Sequence, residues 1–502
     1  MAITAGSNLN SVAAPTMQAL SSNYIDFTAD GNDWGQQYLP DLMEKEAEVF
    51  GNRTISGFLA QVGAEESMTS DQVVWSEQGR LHLSYKGHVV NATQQVGNSN
   101  EEGGTLEIDY DIDDNAIGTS AVDHGIRVND MLLIADSNTT TQCIVTAISV
   151  EQISVALYNA GNSTSTLTNA GFSAGSNNDK SLFILVYGSE YKKGDSYNGS
   201  SSRQANKPQF KSFTNKPIII KDYYNISGSD TSQIGWVEVS GEEGQNGYLW
   251  YLKAEGDTRA RFTDYLEMAM IESVRTTAAN SKVDAFLGTD GTTLTGTEGL
   301  FAAIEDRGNI TTGVTGVNAA TDLAEFDAML AEFDKQGAIE ENMLFVNRSA
   351  SLAMDDMLAS MNSYGSGGTS YGVFDNEEDM ALNLGFSGFR RGSYDFYKSD
   401  WKYLNDYSTR GGINSKDTVN AVRGVVIPAG VSSVYDQTLG KNLKRPFLHV
   451  RYRASQTDNR KFKTWVTGSV GAETSALDAM EVHYLSERCL VVQGANNFMI
   501  MK

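Results

Sequence analysis

A chain of 502 residues with 40% hydrophobic and 20% charged side chains can bury a large core, and this composition excludes a disordered polymer. Its 38 basic against 63 acidic residues leave a net charge of -25, which argues against a surface that grips phosphate backbones with clustered Lys and Arg. No apolar run approaches the roughly 18 residues of a bilayer crossing. The opening residues lack the basic-then-apolar pattern of a secretory signal, so a soluble protein made inside a cell is expected.

Taken in chain order, residues 1–48 read as a polar arm with poor helical periodicity, closed by a short helical stretch from Asp41 to Phe50. From Gln72 the pattern becomes strand-like. Val73, Val74 and Trp75 form one apolar run, and Leu81, Leu83 and Tyr85 alternate with polar residues. Leu106, Ile108, Tyr110 and Ile112 then alternate with Glu107, Asp109, Asp111 and Asp113, which predicts that the acids form the wet face of a strand. Further strands are predicted at Met131–Ile134, Ile144–Ile148, Ile153–Tyr158 and Leu182–Tyr187, separated by Asn, Gly, Ser and Thr clusters. This spacing predicts a small antiparallel β domain over 105–190. A glycine- and serine-rich stretch, Gly194 to Ser202, and a strand at Pro217–Tyr224 follow.

A long helix comes next. Phe262, Leu266, Met270 and Val274 recur at fourfold spacing, with Tyr265 and Ala269 beside them. Asp257 is the expected N-cap and Ala279 the approximate end; a start near Tyr248 is opposed by Gly256. On this register Leu266→Ala costs about 2–5 kcal/mol, whereas Glu267 faces outward and its replacement costs within about 0.5 kcal/mol.

Residues 289–440 alternate helix and strand. Asp322-Leu-Ala-Glu325 has the form of a capping box, with Leu323, Phe326, Leu330 and Phe333 as the buried face and Gly337 as the stop. Met343–Val346 reads as a buried strand, Leu352–Met361 as a helix, and Tyr364–Gly372 as a mobile loop. The final 60 residues return to a β pattern, with strands at Phe447–Tyr452, Phe462–Val466 and Leu490–Val492.

The residues that could carry chemistry do not assemble into a known constellation. Asp109, Asp111 and Asp113 open like a calcium loop, but its sixth position is Asp114 and its twelfth Ser120, where glycine and glutamate are needed. The adjacent acids Glu65-Glu66, Glu101-Glu102, Glu242-Glu243 and Glu377-Glu378 are no more frequent than so acidic a composition gives, and strand neighbours point to opposite faces. His82, His88, His124, His449 and His483 show no metal spacing, and Gly365–Gly368 lacks the lysine of a phosphate loop. Cys143 and Cys489 fit no zinc, redox or disulfide pattern and are expected to be buried. No catalytic, cofactor or metal residue is nominated, and an enzyme is not expected.

The order of parts, a polar arm, a long β excursion, a long helix, an α/β region and a terminal β segment, resembles the Hong Kong 97-type major capsid fold. Val49-Phe-Gly-Asn-Arg-Thr-Ile-Ser-Gly-Phe58 followed by Val73-Val-Trp-Ser-Glu-Gln-Gly-Arg-Leu81 is similar to capsid subunits of the crAss-like phages. So are Phe389-Arg-Arg-Gly392, Leu404-Asn-Asp406 and Val425-Val-Ile-Pro428. The resemblance implies an α+β fold divided into an N-terminal arm (1–48), the start of a P-domain with the ascending E-loop (49–104), and a β domain inserted in the E-loop (105–190). The E-loop return (191–225), a P-domain with its spine helix (226–288), an A-domain (289–440) and P-domain strands with the C-terminus (441–502) complete the division.

The same resemblance implies self-assembly into hexamers and pentamers of an icosahedral tailed-phage head. Its partners would be a portal, a scaffold and auxiliary or decoration proteins. Double-stranded DNA would be enclosed without sequence-specific binding, and an acidic lining repels that polymer instead of gluing it down. Neither membrane nor cofactor would be involved; assembly would take place in the host cytoplasm and the product would be the virion. Two rivals remain at this point. One is an encapsulin-like compartment of the same fold. The other is a β-rich polysaccharide-binding or hydrolysing protein, suggested by 6 Trp, 22 Tyr and 20 Phe and abundant acids.

Overall fold

A computed structural model describes residues 57–502 except 60–63, 78–83, 96–101, 118–123, 150–151, 159–165, 177–179, 195–210, 232–238, 241–245, 248–249, 277–281, 288–294, 363–387, 437–440, 470–474 and positions 113, 115, 338, 418 and 430. The arm and the loop Tyr364–Gly372 therefore lie outside the described residues. In chain order, β1 (Ala64–Met68) and β2 (Val73–Glu77) precede β3 (Ser84–Asn91), β4 (Gly104–Asp111), β5 (Asp130–Ala135), β6 (Thr140–Ser149), β7 (Gln152–Leu157) and β8 (Leu182–Ser189). Next come β9 (Lys211–Asn215), β10 (Ile218–Ser227), α1 (Gly228–Thr231), β11 (Val239–Ser240), β12 (Asn246–Gly247) and α2 (Trp250–Glu272). The series α3 (Lys282–Leu287), α4 (Leu300–Arg307), β13 (Asn309–Thr311), α5 (Ala319–Gln336), β14 (Glu341–Val346) and α6 (Arg348–Asn362) follows. Beyond these lie β15 (Gly388–Arg391), β16 (Tyr394–Asp400), α7 (Lys402–Asn405), α8 (Arg410–Asn414), β17 (Gly424–Pro428), β18 (Val431–Asp436) and β19 (Lys441–Pro446). The last strands are β20 (Leu448–Arg453), β21 (Lys463–Gly468), β22 (Ala479–Val492) and β23 (Met499–Met501). The chain is α+β and divides into two compact units, one of Met1–Val73 with Asn215–Lys502, the other of Val74–Thr214.

The second unit is a closed barrel in the order β3-β4-β7-β6-β5-β8, and every pairing in it is antiparallel. Its interior follows the twofold period of strands. Leu106 and Ile108, Leu132 and Ile134, Cys143 and Val145, Ile153 and Val155, and Leu182 and Ile184 all share one core. The sequence reading starts the β domain at 105, whereas β3 is a wall strand whose two edges pair with β4 and β8. That closure joins residues about 100 positions apart, so no local pattern reports it. Gly87 marks the seam: a Cβ there would stand 1.9 Å from the Glu107 carbonyl oxygen, at a bulge between Lys86 and Gly87.

Chain enters and leaves the second unit through β2 and β9, which pair with each other and bring Trp75 to 6.1 Å from Phe213. The barrel boundaries set a deletion experiment. Removing 103–187 leaves β3 without either neighbour, with Tyr85 and Val89 stripped of their core, and is expected to yield an aggregating protein. Joining Glu77 to Lys211 by a short linker removes the barrel whole. The remainder is then expected to keep one cooperative thermal transition by circular dichroism, and loss of that transition would show that the first unit depends on the barrel.

The first unit contains two large sheets, besides the strand pairs β11-β12 and β18-β19. In one, β22 is the centre: β10 lies along one side, while β21 and then β20 occupy the other, and β1 adds in parallel beyond β20. In the other, the order is β13-β23-β17-β14-β16-β15. Alternate residues of its central strands enter different cores. Phe345, Val425, Ile427 and Ile500 pack with α4 and the end of α2, whereas Leu344, Val346, Val426, Met499 and Met501 pack with α5 and α6. A sheet covered on both faces needs apolar residues at every position, which is what Gly424–Pro428 supplies, all five buried. Within 441–502, β20, β21 and β22 belong to the first of these sheets, whereas β23, at the C-terminus, lies between β13 and β17 of the other.

Helix α5 starts earlier than expected. Asn318 caps it, its side chain accepting from the Thr321 amide at 2.9 Å. The predicted box residues bind the preceding turn instead: Asp322 accepts from the Gly316 amide at 2.8 Å, and Glu325 from the Thr315 amide at 2.8 Å. Gly337 ends the helix as predicted, at φ 66°. The buried face is Phe326, Met329 and Phe333, with Leu323 and Leu330 partly buried beside it.

Candidate functional site

The long helix α2 and the segments converging on it form the best-defined junction of the first unit. At 23 residues it spans about 34 Å. It starts at Trp250, so Asp257 lies inside it and is not its N-cap, and it ends at Glu272. The end comes early because the backbone there bonds to the turn before α4. The Gly299 amide donates to the Ser273 carbonyl at 2.8 Å, and the Thr276 amide to the Thr295 carbonyl at 2.9 Å. Val274 is thereby left 69% exposed, against expectation, while Phe262, Leu266 and Met270 are buried as predicted.

Along the helix, each level makes a different attachment. Phe262 meets Phe462 edge-on at 5.3 Å and stacks on Tyr484 at 5.7 Å. Arg261 donates twice to Asp222 of β10, at 3.1 and 2.9 Å. At the carboxyl end Glu272 accepts from the Tyr403 hydroxyl at 2.7 Å and from Arg410 at 2.8 Å. Burial, with the Glu272 carboxylate next to it, pushes the Tyr403 phenol well above its usual range.

Glu267 departs most from the sequence reading. It is half-buried, and its two oxygens accept from the amides of Gly57 and Leu59, each at 3.2 Å. Between those residues Phe58 stacks on Trp401 at 4.4 Å and meets Phe345 edge-on at 4.8 Å. Residues 57–59 are thus fastened to α2 by a carboxylate and to the core by one ring. Burial raises the Glu267 carboxyl above its ordinary range, against the two amide bonds and Arg488, which lower it. A raised folded-state pKa means the ionised group costs stability, and the cost grows as pH rises from the unfolded value through the folded one. Between pH 4 and pH 7 the wild-type melting temperature is therefore expected to fall relative to that of Glu267→Gln, which cannot ionise. Parallel pH profiles of the two melts would expose the error of this assignment.

Asn215, fully buried, is a second junction that the sequence does not announce. Its amide nitrogen donates to the carbonyls of Leu490 at 2.6 Å and Glu298 at 3.0 Å, and its oxygen accepts from the Glu298 amide at 2.9 Å and the Thr297 hydroxyl at 3.1 Å. One side chain thereby ties the strand returning from the barrel to β22 and to the start of α4.

The remaining sequence candidates are dispersed. Asp109 is buried, not wet, and lies 2.6 Å from Nδ1 of the buried His88. The pair comes together because β3 and β4 are adjacent in the barrel wall. Asp113 lies outside the described residues, and Asp114 holds Lys86 at 2.7 Å and Lys180 at 3.2 Å. Of the acid pairs, Glu65 meets Lys461 and Arg488, while Glu66 meets Arg451 at 2.7 Å. Glu101, Glu242-Glu243, Glu377-Glu378, His82 and Gly365–Gly368 lie outside the described residues. His483 pairs with Thr467 at 2.8 Å and is stacked between Trp465 and Tyr223 on adjacent strands. His449 and His124 are buried. Cys143 and Cys489 are buried free thiols, and burial pushes each up to about 12. Among the described residues no group of three or more His, Cys, Asp or Glu is placed to hold a metal, and no helix is long and apolar enough to cross a membrane.

No family model and no curated protein matches the chain. Solved structures do match. One from Microbacterium phage Oxtober96 shares 7% identity at a TM-score of 0.38, over 95% of this chain and 99% of that one. The capsid of a native GTA particle shares 10% at 0.34, over 95% and 98%. The mature capsid of bacteriophage PhiM1 shares 10% at 0.33, over 62% and 78%.

Proposed function

We propose that this chain is the major capsid protein of a tailed bacteriophage, of Hong Kong 97 type and akin to those of the crAss-like phages. The observation that carries the reading is the order of parts. A barrel excursion between paired strands precedes a 23-residue helix on a five-stranded sheet, and a six-stranded sheet covered on both faces follows. This is the order that the sequence resemblance leads one to expect. On this reading α2 is the spine helix, the barrel is an insert in the E-loop, and the region around β13–β17 is the A-domain. The fastening of residues 57–59 to α2 gives the arm a fixed root from which to reach a neighbouring copy. Copies associate as hexamers and pentamers in the host cytoplasm, with a portal, scaffold and auxiliary proteins, and enclose double-stranded DNA in the virion.

The test is assembly itself. Full-length protein co-expressed with a scaffold is expected to give closed shells by negative-stain microscopy. Deleting residues 2–36 is expected to leave a folded protein with a nearly unchanged melting temperature that builds none. A full-length protein that stays monomeric under all scaffold conditions would overturn the capsid reading. Normal shells from the truncated chain would overturn only the role of the arm.

A further inference from the structure

The outer wall of the barrel is uneven in a way its own fold does not explain. A closed barrel needs apolar residues on its inward positions only. On β4 the outward position between Leu106 and Ile108 carries Glu107, and on β6 the outward positions carry Thr140, Gln142 and Ile144, only the last of them apolar. The adjacent strands β5, Asp-Met-Leu-Leu-Ile-Ala, and β8, Leu-Phe-Ile-Leu-Val-Tyr-Gly-Ser, are instead apolar on both faces. Continuous apolar runs belong to strands covered on two sides. Here Leu132, Ile134, Leu182 and Ile184 fill the interior, while Leu133, Phe183, Leu185 and Tyr187 point outward. Phe183 is 38% and Tyr187 45% exposed, and Leu133 lies opposite Leu185 between them.

We propose that this patch docks against the same patch of a second copy of the chain, across a local twofold axis through Leu185. Two observations select that occupant. The first is the palindrome along β8: aromatic, aliphatic, aromatic at positions 183, 185 and 187. A half-turn about Leu185 sets each Phe183 on the other copy's Tyr187 and each leucine pair on its twin, which is the self-complementarity an isologous contact requires. The second is area. Partly exposed aromatics and two leucines offer about 300 Å² per copy, and two copies stay well below the roughly 1,200 Å² of a stable dimer. Such a contact holds only where copies are already kept side by side, so it adds to a lattice without pairing free subunits. The inference rests on the shell reading for that lattice.

The test uses full-length protein carrying Leu185→Cys, treated with a short bismaleimide that spans the roughly 10 Å between packed sheets. The wild-type protein, whose two cysteines are buried, gives the background. Covalent pairs are expected in assembled particles, but neither in dilute unassembled subunits nor in particles carrying Glu107→Cys on β4. Leu185→Asp particles are expected to keep their diameter and to come apart at lower denaturant concentration than the wild type. Intact particles with position 185 unpaired, or with the patch covered by a different protein in a density map, would overturn the docking and leave the shell reading standing. Absence of particles from the wild-type chain would overturn both.

Discussion

Replacing Phe262 by alanine is expected to lower the stability of the first unit by about 3–5 kcal/mol, because a fully buried ring is removed from a closed aromatic cluster. The ring lies 5.3 Å from Phe462 and 5.7 Å from Tyr484, which in turn are 6.1 Å apart, so both remaining rings lose a shared partner at once. Neighbouring strands cannot collapse into the space: β21 and β22 are held in register over six pairs, from Lys463 with Leu485 to Gly468 with Met480. Leu266→Ala, one turn along the same stripe, belongs in the 2–5 kcal/mol range at about the same depth. Thr263→Ala, off that stripe, should change stability by no more than about 0.5 kcal/mol. Denaturant titration of the three variants measures the contrast, and comparable losses at Phe262 and Thr263 would mean that α2 buries a different face.

Asn215→Leu is expected to cost about 3–6 kcal/mol although it keeps the side chain's size, because it orphans several groups together. The Glu298 amide, the carbonyls of Glu298 and Leu490 and the Thr297 hydroxyl each lose a partner in a site from which water is excluded. Asn225→Ala removes a single exposed bond of 3.2 Å to Glu481 and should cost no more than about 1 kcal/mol. Similar midpoints for the two variants would show that the Asn215 network does not hold the first unit together.

What the sequence discloses depends on how far each residue's partner lies along the chain. The stripe at Phe262, Leu266 and Met270, the alternation at Leu106 and Ile108, and the stop at Gly337 are set by local period or backbone conformation, and the structure shows each. Glu267 is different: its partners are 208 and 210 positions away, so helical periodicity assigns it outward. Asp109 looks wet by alternation until β3 is known to be its neighbour, and then His88 accounts for its burial. The four contacts of Asn215 reach across 82 to 275 positions, and the Thr-Asn-Lys-Pro context that surrounds it carries no signal for them. Val274 continues a valid stripe past a helix end that only the pairing with residues 295–299 determines.

The positions of the strands in the chain also set an order of events during synthesis. The barrel uses nothing beyond residue 214, whereas both large sheets of the first unit need β22 or β23, at Ala479–Val492 and Met499–Met501. At roughly 5–20 residues per second, the ribosome needs about 15–60 s to travel from the end of the barrel to those strands. A closed antiparallel barrel of this size has ample time to fold in that interval. The nascent chain is therefore expected to carry a finished barrel, with its apolar outer patch already displayed, while the unit that surrounds it in sequence still lacks its central strands. A trigger for chaperone binding is built into that delay, since β10, whose partner is β22, and β13, whose partner is β23, wait unpaired until the final strands emerge.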